Sequence, residues 1–119
     1  MSPLAVEAIE RLKELPANWD SYGAPPIDHL ARRHAAALVT ELQAMLQGRY
    51  VDPTVGPDVG GGVELIWETP REAYEVHVFV PPMGIPKAVV LHDERLVDSV
   101  ETKLAADVLA TLQRFHVLP

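Results

Sequence analysis

The stretch from Val63 to His92 constrains the fold most. Three apolar-rich runs, Val63 to Glu68, Ala73 to Val80 and Lys87 to His92, are separated by Thr69-Pro70-Arg71-Glu72 and by Pro81-Pro82-Met83-Gly84-Ile85-Pro86. Runs of this length, rich in Val and aromatic residues and bounded by Pro and Gly, predict three strands joined as an antiparallel meander. Pairing Glu68 with Ala73 and Val80 with Lys87 sorts the side chains by the period of two. The inner face is then Val63, Leu65, Trp67, Tyr74, Val76, Val78, Val80, Val89 and Leu91. The outer face sets Glu64 opposite His77 and Glu75 opposite His92, and also carries Ile66, Phe79 and Val90.

One apolar face needs a cover. Ser2-Pro3 starts a first helix with Leu4, Ala8, Leu12 and Leu15 on one side, ended by Pro16. Asp28 caps a long second helix with the stripe Leu30, His34, Leu38, Leu42 and Met45, and Gly48 is placed to end it. The stretch from Val51 to Gly62 reads as an extended connection and turn. Asp98 or Ser99, with Glu101 as capping-box partner, opens a last helix with the stripe Val100, Leu104, Val108, Leu112 and Phe115, and Leu96 and Val97 supply a short strand before it. The expectation is a single α+β domain over 1–119: a two-layer sandwich of order α-α-β-β-β-α, with an antiparallel sheet of three to four strands covered on one face by helices.

Length and composition agree with one core. The chain has 119 residues, 48% of them hydrophobic and 23% charged. It has no cysteine, so disulfides and thiolate-held metals are excluded. A formal charge of −7 repels phosphate backbones, so direct nucleic-acid binding is not expected. Neither a signal peptide nor a membrane-spanning run is legible, which predicts a cytoplasmic protein with no membrane partner.

The densest local signal is Asn18-Trp19-Asp20-Ser21-Tyr22-Gly23-Ala24, two large aromatics beside an acid in a short loop. Such aromatics either plug a gap between helices or form a contact surface. Asn18, Trp19, Asp20 and Tyr22 are therefore candidate partner-binding residues, together with Ile66, Phe79 and Val90 on the sheet. This string, after a helix ending Leu15-Pro16, resembles the W-D-G/S-Y-G-A signature near the start of many small bacterial proteins. Gly61-Gly62-Val63-Glu64-Leu65-Ile66-Trp67 is similar to the G-G-V/I-x-L-x-W segment that follows in them. The resemblance covers roughly the first two thirds of the chain. It implies a bacterial or phage origin and supplies no activity and no catalytic residue.

Chemistry has few candidates. Glu75, His77 and His92 are a conceivable metal shell, but no tight ligand spacing supports one, and exposed antiparallel faces carry Glu–His pairs for ordinary reasons. Ser21, Ser99 and Thr54 lack a nucleophile elbow. Gly60-Gly61-Gly62 leads into a strand rather than a helix, which argues against phosphate binding. His29, His34 and His116 stand alone. No cofactor is expected. The sequence reading is a protein that binds another protein, in the manner of an antitoxin, immunity factor or inhibitor, with a homodimer through the sheet as one form of contact. A small enzyme or metal-dependent binder using Glu75, His77 and His92, and a homo-oligomeric small-molecule binder with a pocket between helices and sheet, are the alternatives.

Overall fold

The computed structural model describes residues 4–69, 74–103 and 105–115. Helix α1 (Leu4–Arg11) runs into a 3₁₀ turn, Leu12–Glu14, and a loop leads to α2 (His29–Leu46). Five strands follow, β1 (Thr54–Pro57), β2 (Val63–Thr69), β3 (Tyr74–Val80), β4 (Lys87–His92) and β5 (Arg95–Glu101), and then α3 (Ala105–Arg114). The strands form one sheet in chain order, every neighbour antiparallel. The helices pack on one face, and one core joins them to the sheet. The expected α+β class and one-sided cover hold; the sheet is wider than expected.

The strand expected at Leu96 and Val97 is present but runs from Arg95 to Glu101, and a fifth strand comes from a segment read otherwise. Residues 54–57 pair with β2, inside the stretch taken as a connection. The turn between β1 and β2 is closed by Asp58, whose carbonyl and carboxylate accept from the Gly61 and Gly60 amides. At the other edge, Asp98 and Ser99 lie within β5 instead of capping a helix. The cause is the two-residue loop Asp93-Glu94, in which φ is +49° and +65°. That is the mirror-image geometry a tight hairpin needs, normally signalled by Asn-Gly or Asp-Gly. Val97 is the extra residue of a bulge, since Val90 faces Asp98 while Leu91 faces Leu96.

Register decides which side chains meet the helices. Between β2 and β3, Glu68 pairs with Glu75 rather than Ala73, a slip of two that leaves every side chain on its expected face. Val63, Leu65, Trp67, Val76, Val78 and Val80 are all buried. Between β3 and β4 the slip is one residue, because Lys87 pairs with Phe79 and not Val80. A slip of one turns the strand over. Ala88 and Val90 therefore enter the core, and Val89 and Leu91, expected inside, point outward. The observed register also keeps the Lys87 ammonium off the apolar face, which the expected one did not.

The helices are rotated relative to their expected stripes. In α2 the buried positions are Ala31, Ala35, Val39, Leu42 and Leu46, while Leu30 and Met45 are 46% and 43% exposed. Three small or β-branched residues let α2 approach the sheet and α1 closely, while Leu30 and Met45 remain outside. In α1 the core positions are Ala5 and Ile9, continued by Leu12, so Leu4 is exposed. Asp28 caps α2 as expected, its Oδ1 accepting from the Leu30 amide at 2.8 Å, but the helix ends at Gln47, which takes φ +49°, and not at Gly48. In α3, Val108, Leu112 and Phe115 are buried as expected. Val100 belongs to β5, and Leu104 lies outside the described residues.

The connection from α2 to β1 is pinned from several sides. Trp67 Nε1 donates to the Val51 carbonyl at 2.9 Å, and the Tyr50 hydroxyl donates to Asp52 Oδ1 at 2.7 Å. Burial and the adjacent Asp52 carboxylate push the Tyr50 phenol above its ordinary pKa. Asp52 Oδ2 also accepts from the Leu4 amide, which ties α1 to this corner.

The β4 register has a direct consequence. Val90→Asp buries an unpaired carboxylate and should abolish cooperative unfolding, whereas Val89→Asp should change stability by no more than about 1 kcal/mol. Urea melts followed by circular dichroism distinguish the two.

Candidate functional site

Three regions hold the residues from which a site could be built: the loop 18–24, the outer face of the sheet, and a cleft between α2 and the start of α3.

The loop is organised by its own polar side chains. Asn18 and Ser21 take φ of +63° and +66°, and Gly23 takes +86°. Asn18 Oδ1 accepts from the Gly23 amide at 2.6 Å, and its own amide donates to the Ala24 carbonyl. Asp20 Oδ1 accepts from the amides of both Tyr22 and Ala24 at 3.0 Å. The Ala24 and Tyr22 amides hold the Asp20 carboxyl below its ordinary pKa. Trp19 is half-buried against the core, with Nε1 donating to the Pro25 carbonyl at 2.9 Å. Asn18, Trp19 and Asp20 therefore shape the loop. Tyr22, 92% exposed, is the one candidate residue here that projects into solvent.

The glycines before β2 meet the segment that leads from the loop into α2. The Gly61 carbonyl accepts from the Asp28 amide, and Gly61, at φ +90°, lies against Pro25 and Pro26. At Gly62 a Cβ would fall 2.5 Å from the Val80 carbonyl oxygen, so no other residue fits.

On the outer face, the outward positions of β2, β3 and β4 are Glu64, Ile66, Glu68, Glu75, His77, Phe79, Lys87, Val89 and Leu91. His77 lies at the centre. Its Nδ1 is 2.6 Å from Glu64 Oε1 and its Nε2 is 3.3 Å from Glu75 Oε1, while its ring stacks with Phe79 at 6.3 Å between centroids. Glu64 reaches His77 diagonally, because Ile66 and not Glu64 stands directly opposite. Each ring nitrogen thus faces a carboxylate, and only a doubly protonated ring donates to both.

The conceivable metal shell of Glu75, His77 and His92 is not assembled. His92 pairs with Tyr74 instead of Glu75 and lies on the inner side of the sheet, its ring 4.5 Å from that of Tyr74. Among the described residues, no cluster of three or more His, Asp or Glu side chains could hold an ion. Val90 also leaves the candidate surface, being fully buried. Ile66 and Phe79 remain on the outer face, half-buried. Sequence reasoning missed Val89 and Leu91, which join them there, and Leu96, 66% exposed on β5. No local signal separates these from core residues once the register is off by one.

The cleft, of about 400 Å³, has apolar walls from Leu38, Val80, Ile85 and Pro86. Thr102 lines it; the residue is 2% exposed and its hydroxyl has no hydrogen-bond partner among the described residues. His34 and Glu41, two turns apart on α2, and Lys103 also line it. Thr102 and Lys103 escaped notice because the sequence placed them inside a helix.

None of the described helices is long and apolar enough to cross a membrane. No protein-family model, curated protein or solved structure matches the chain.

The Asp20 bonds set a pH dependence. A carboxyl held below its unfolded value of about 3.8 stabilises the fold at neutral pH, and that contribution disappears as pH falls through the lowered folded value. Asp20→Ala should therefore melt at a lower temperature than the parent chain at pH 7, and the gap should narrow below about pH 3.8, as thermal scans at several pH values would reveal.

Proposed function

We propose that the protein acts by binding another protein, with the outer face of the sheet as the contact surface, in the manner of an inhibitor, immunity factor or antitoxin in a bacterial or phage cytoplasm. The observation that carries this reading is the grouping of Ile66, Phe79, Val89 and Leu91 on a face that no described element covers. Grouped apolar side chains framed by charge are the usual composition of an interface. Catalysis forms no part of this reading.

Charge selects the kind of partner. Among the described residues, the outward strand positions carry Glu64, Glu68, Glu75 and Glu101 against the single cation Lys87, with His77 between two of the carboxylates. The complementary surface is an apolar patch ringed by Lys or Arg. A second copy of this chain would bring like charges together, which favours a heterologous partner over the homodimer.

The test uses the protein from its native host, with Phe79→Glu and, as a control on a distant loop, Tyr22→Ala, each first shown to melt cooperatively. A purified partner should bind wild type and Tyr22→Ala within about twofold and Phe79→Glu at least about tenfold more weakly, with affinity falling as salt rises. Equal binding by Phe79→Glu contradicts the proposal. So does a wild-type dimer in light scattering that Phe79→Glu dissociates, which would assign the face to self-association.

A further inference from the structure

The cleft carries a second, independent assignment. A buried hydroxyl without a partner forfeits its hydration and gains nothing in exchange, so a chain evolved for stability alone would favour Val at such a position. Thr102 has that character, 2% exposed, its Oγ1 unpaired among the described residues, while its backbone amide is satisfied by the Pro86 carbonyl at 2.8 Å. It also lines a cleft of about 400 Å³, within the size range of small-molecule sites. Sites of this class combine apolar walls with a few convergent polar groups.

The rim adds charge of both signs. Glu41 stands on α2, and Lys103 follows Thr102 on the other wall. No ion pair joins the two among the described residues. An apolar body fits Leu38, Val80 and Ile85, and Glu41 and Lys103 offer one charge of each sign to a molecule carrying both a cationic and an anionic group. A molecule with one charge leaves the opposite rim group unanswered.

We infer that the cleft between α2, the β3–β4 loop and the start of α3 is a binding site for a small amphipathic zwitterion of the apolar α-amino acid class, with Thr102 supplying a hydrogen bond at its floor. The outer face of the sheet plays no part in this site, so either assignment stands without the other.

Three probes share one ring and differ in charge: L-phenylalanine, phenylacetate and 2-phenylethylamine. Titrated into the ¹⁵N-labelled protein, L-phenylalanine should shift the amides of Leu38, Ile85, Thr102 and Lys103 at concentrations at least about threefold lower than either analogue. Ala37→Trp, at an exposed lining position, should abolish those shifts. Thr102→Val should raise the melting temperature and weaken the probe about fivefold, a combination that a merely structural residue would not give. No shift at these amides with any probe up to about 10 mM overturns the inference, as does an analogue binding as tightly as L-phenylalanine. Unchanged affinity in Thr102→Val removes the hydroxyl from the site.

Discussion

The close approach of α2 to the middle of the sheet is the contact on which the rest of the structure depends. Ala31, Ala35 and Val39 present little side chain to keep the helix away, and they share one buried core with Leu42 and Leu46 of α2 and with Val63, Leu65, Val76 and Val78 of the sheet. Burying that set removes apolar surface from water at about 25 cal/mol per Å². It also commits the sheet to one orientation. Once these side chains face α2, strand geometry alone sends Ile66, His77 and Phe79 to the opposite side, and the surface proposed for partner binding follows from the packing of the core.

The loop 18–24 and the glycines before β2 fix the same arrangement from outside. Asp20 and Asn18 hold the loop closed, Trp19 anchors it on the core, and the Asp28 amide bonds to Gly61 at the base of the strand. Gly62 has no room for a side chain against Val80, so β2 and β3 meet at one register there. A string rich in aromatic and polar residues thus has a structural task for most of its members, leaving Tyr22 as the side chain that task does not use.

Much of the fold was legible in the sequence because the alternation in 63–68 and 73–80 is strong enough to survive an error of two in register. Trp67, Val76 and Val78 therefore point where expected. The β3–β4 junction was not legible, because the six residues from Pro81 to Pro86 allow more than one closure, and Ala88, Val89, Val90 and Leu91 are apolar on both faces. Alternation has no meaning in such a run. The α2 stripe was misread for a related reason: large side chains look like core, yet close packing selected Ala31 and Ala35 and left Leu30 and Met45 outside. The extent of strand β5, expected only at Leu96 and Val97, was hidden by a capping-box pattern and by a turn, Asp93-Glu94, without glycine. Of the residues expected on the outer face, Ile66, Phe79 and His77 lie there, while Val90 and His92 are on the inner side because of the one-residue slip.

The absence of cysteine in the natural chain permits a direct test of which side chains the fold leaves open. Single substitutions Phe79→Cys, Val89→Cys, Val78→Cys and Val90→Cys can be followed by the rate of thiol modification in the native protein. The account predicts rapid reaction at positions 79 and 89 and reaction at least about a hundredfold slower at 78 and 90, where modification must await opening of the core. Protection at 79, or rapid reaction at 90, would contradict it.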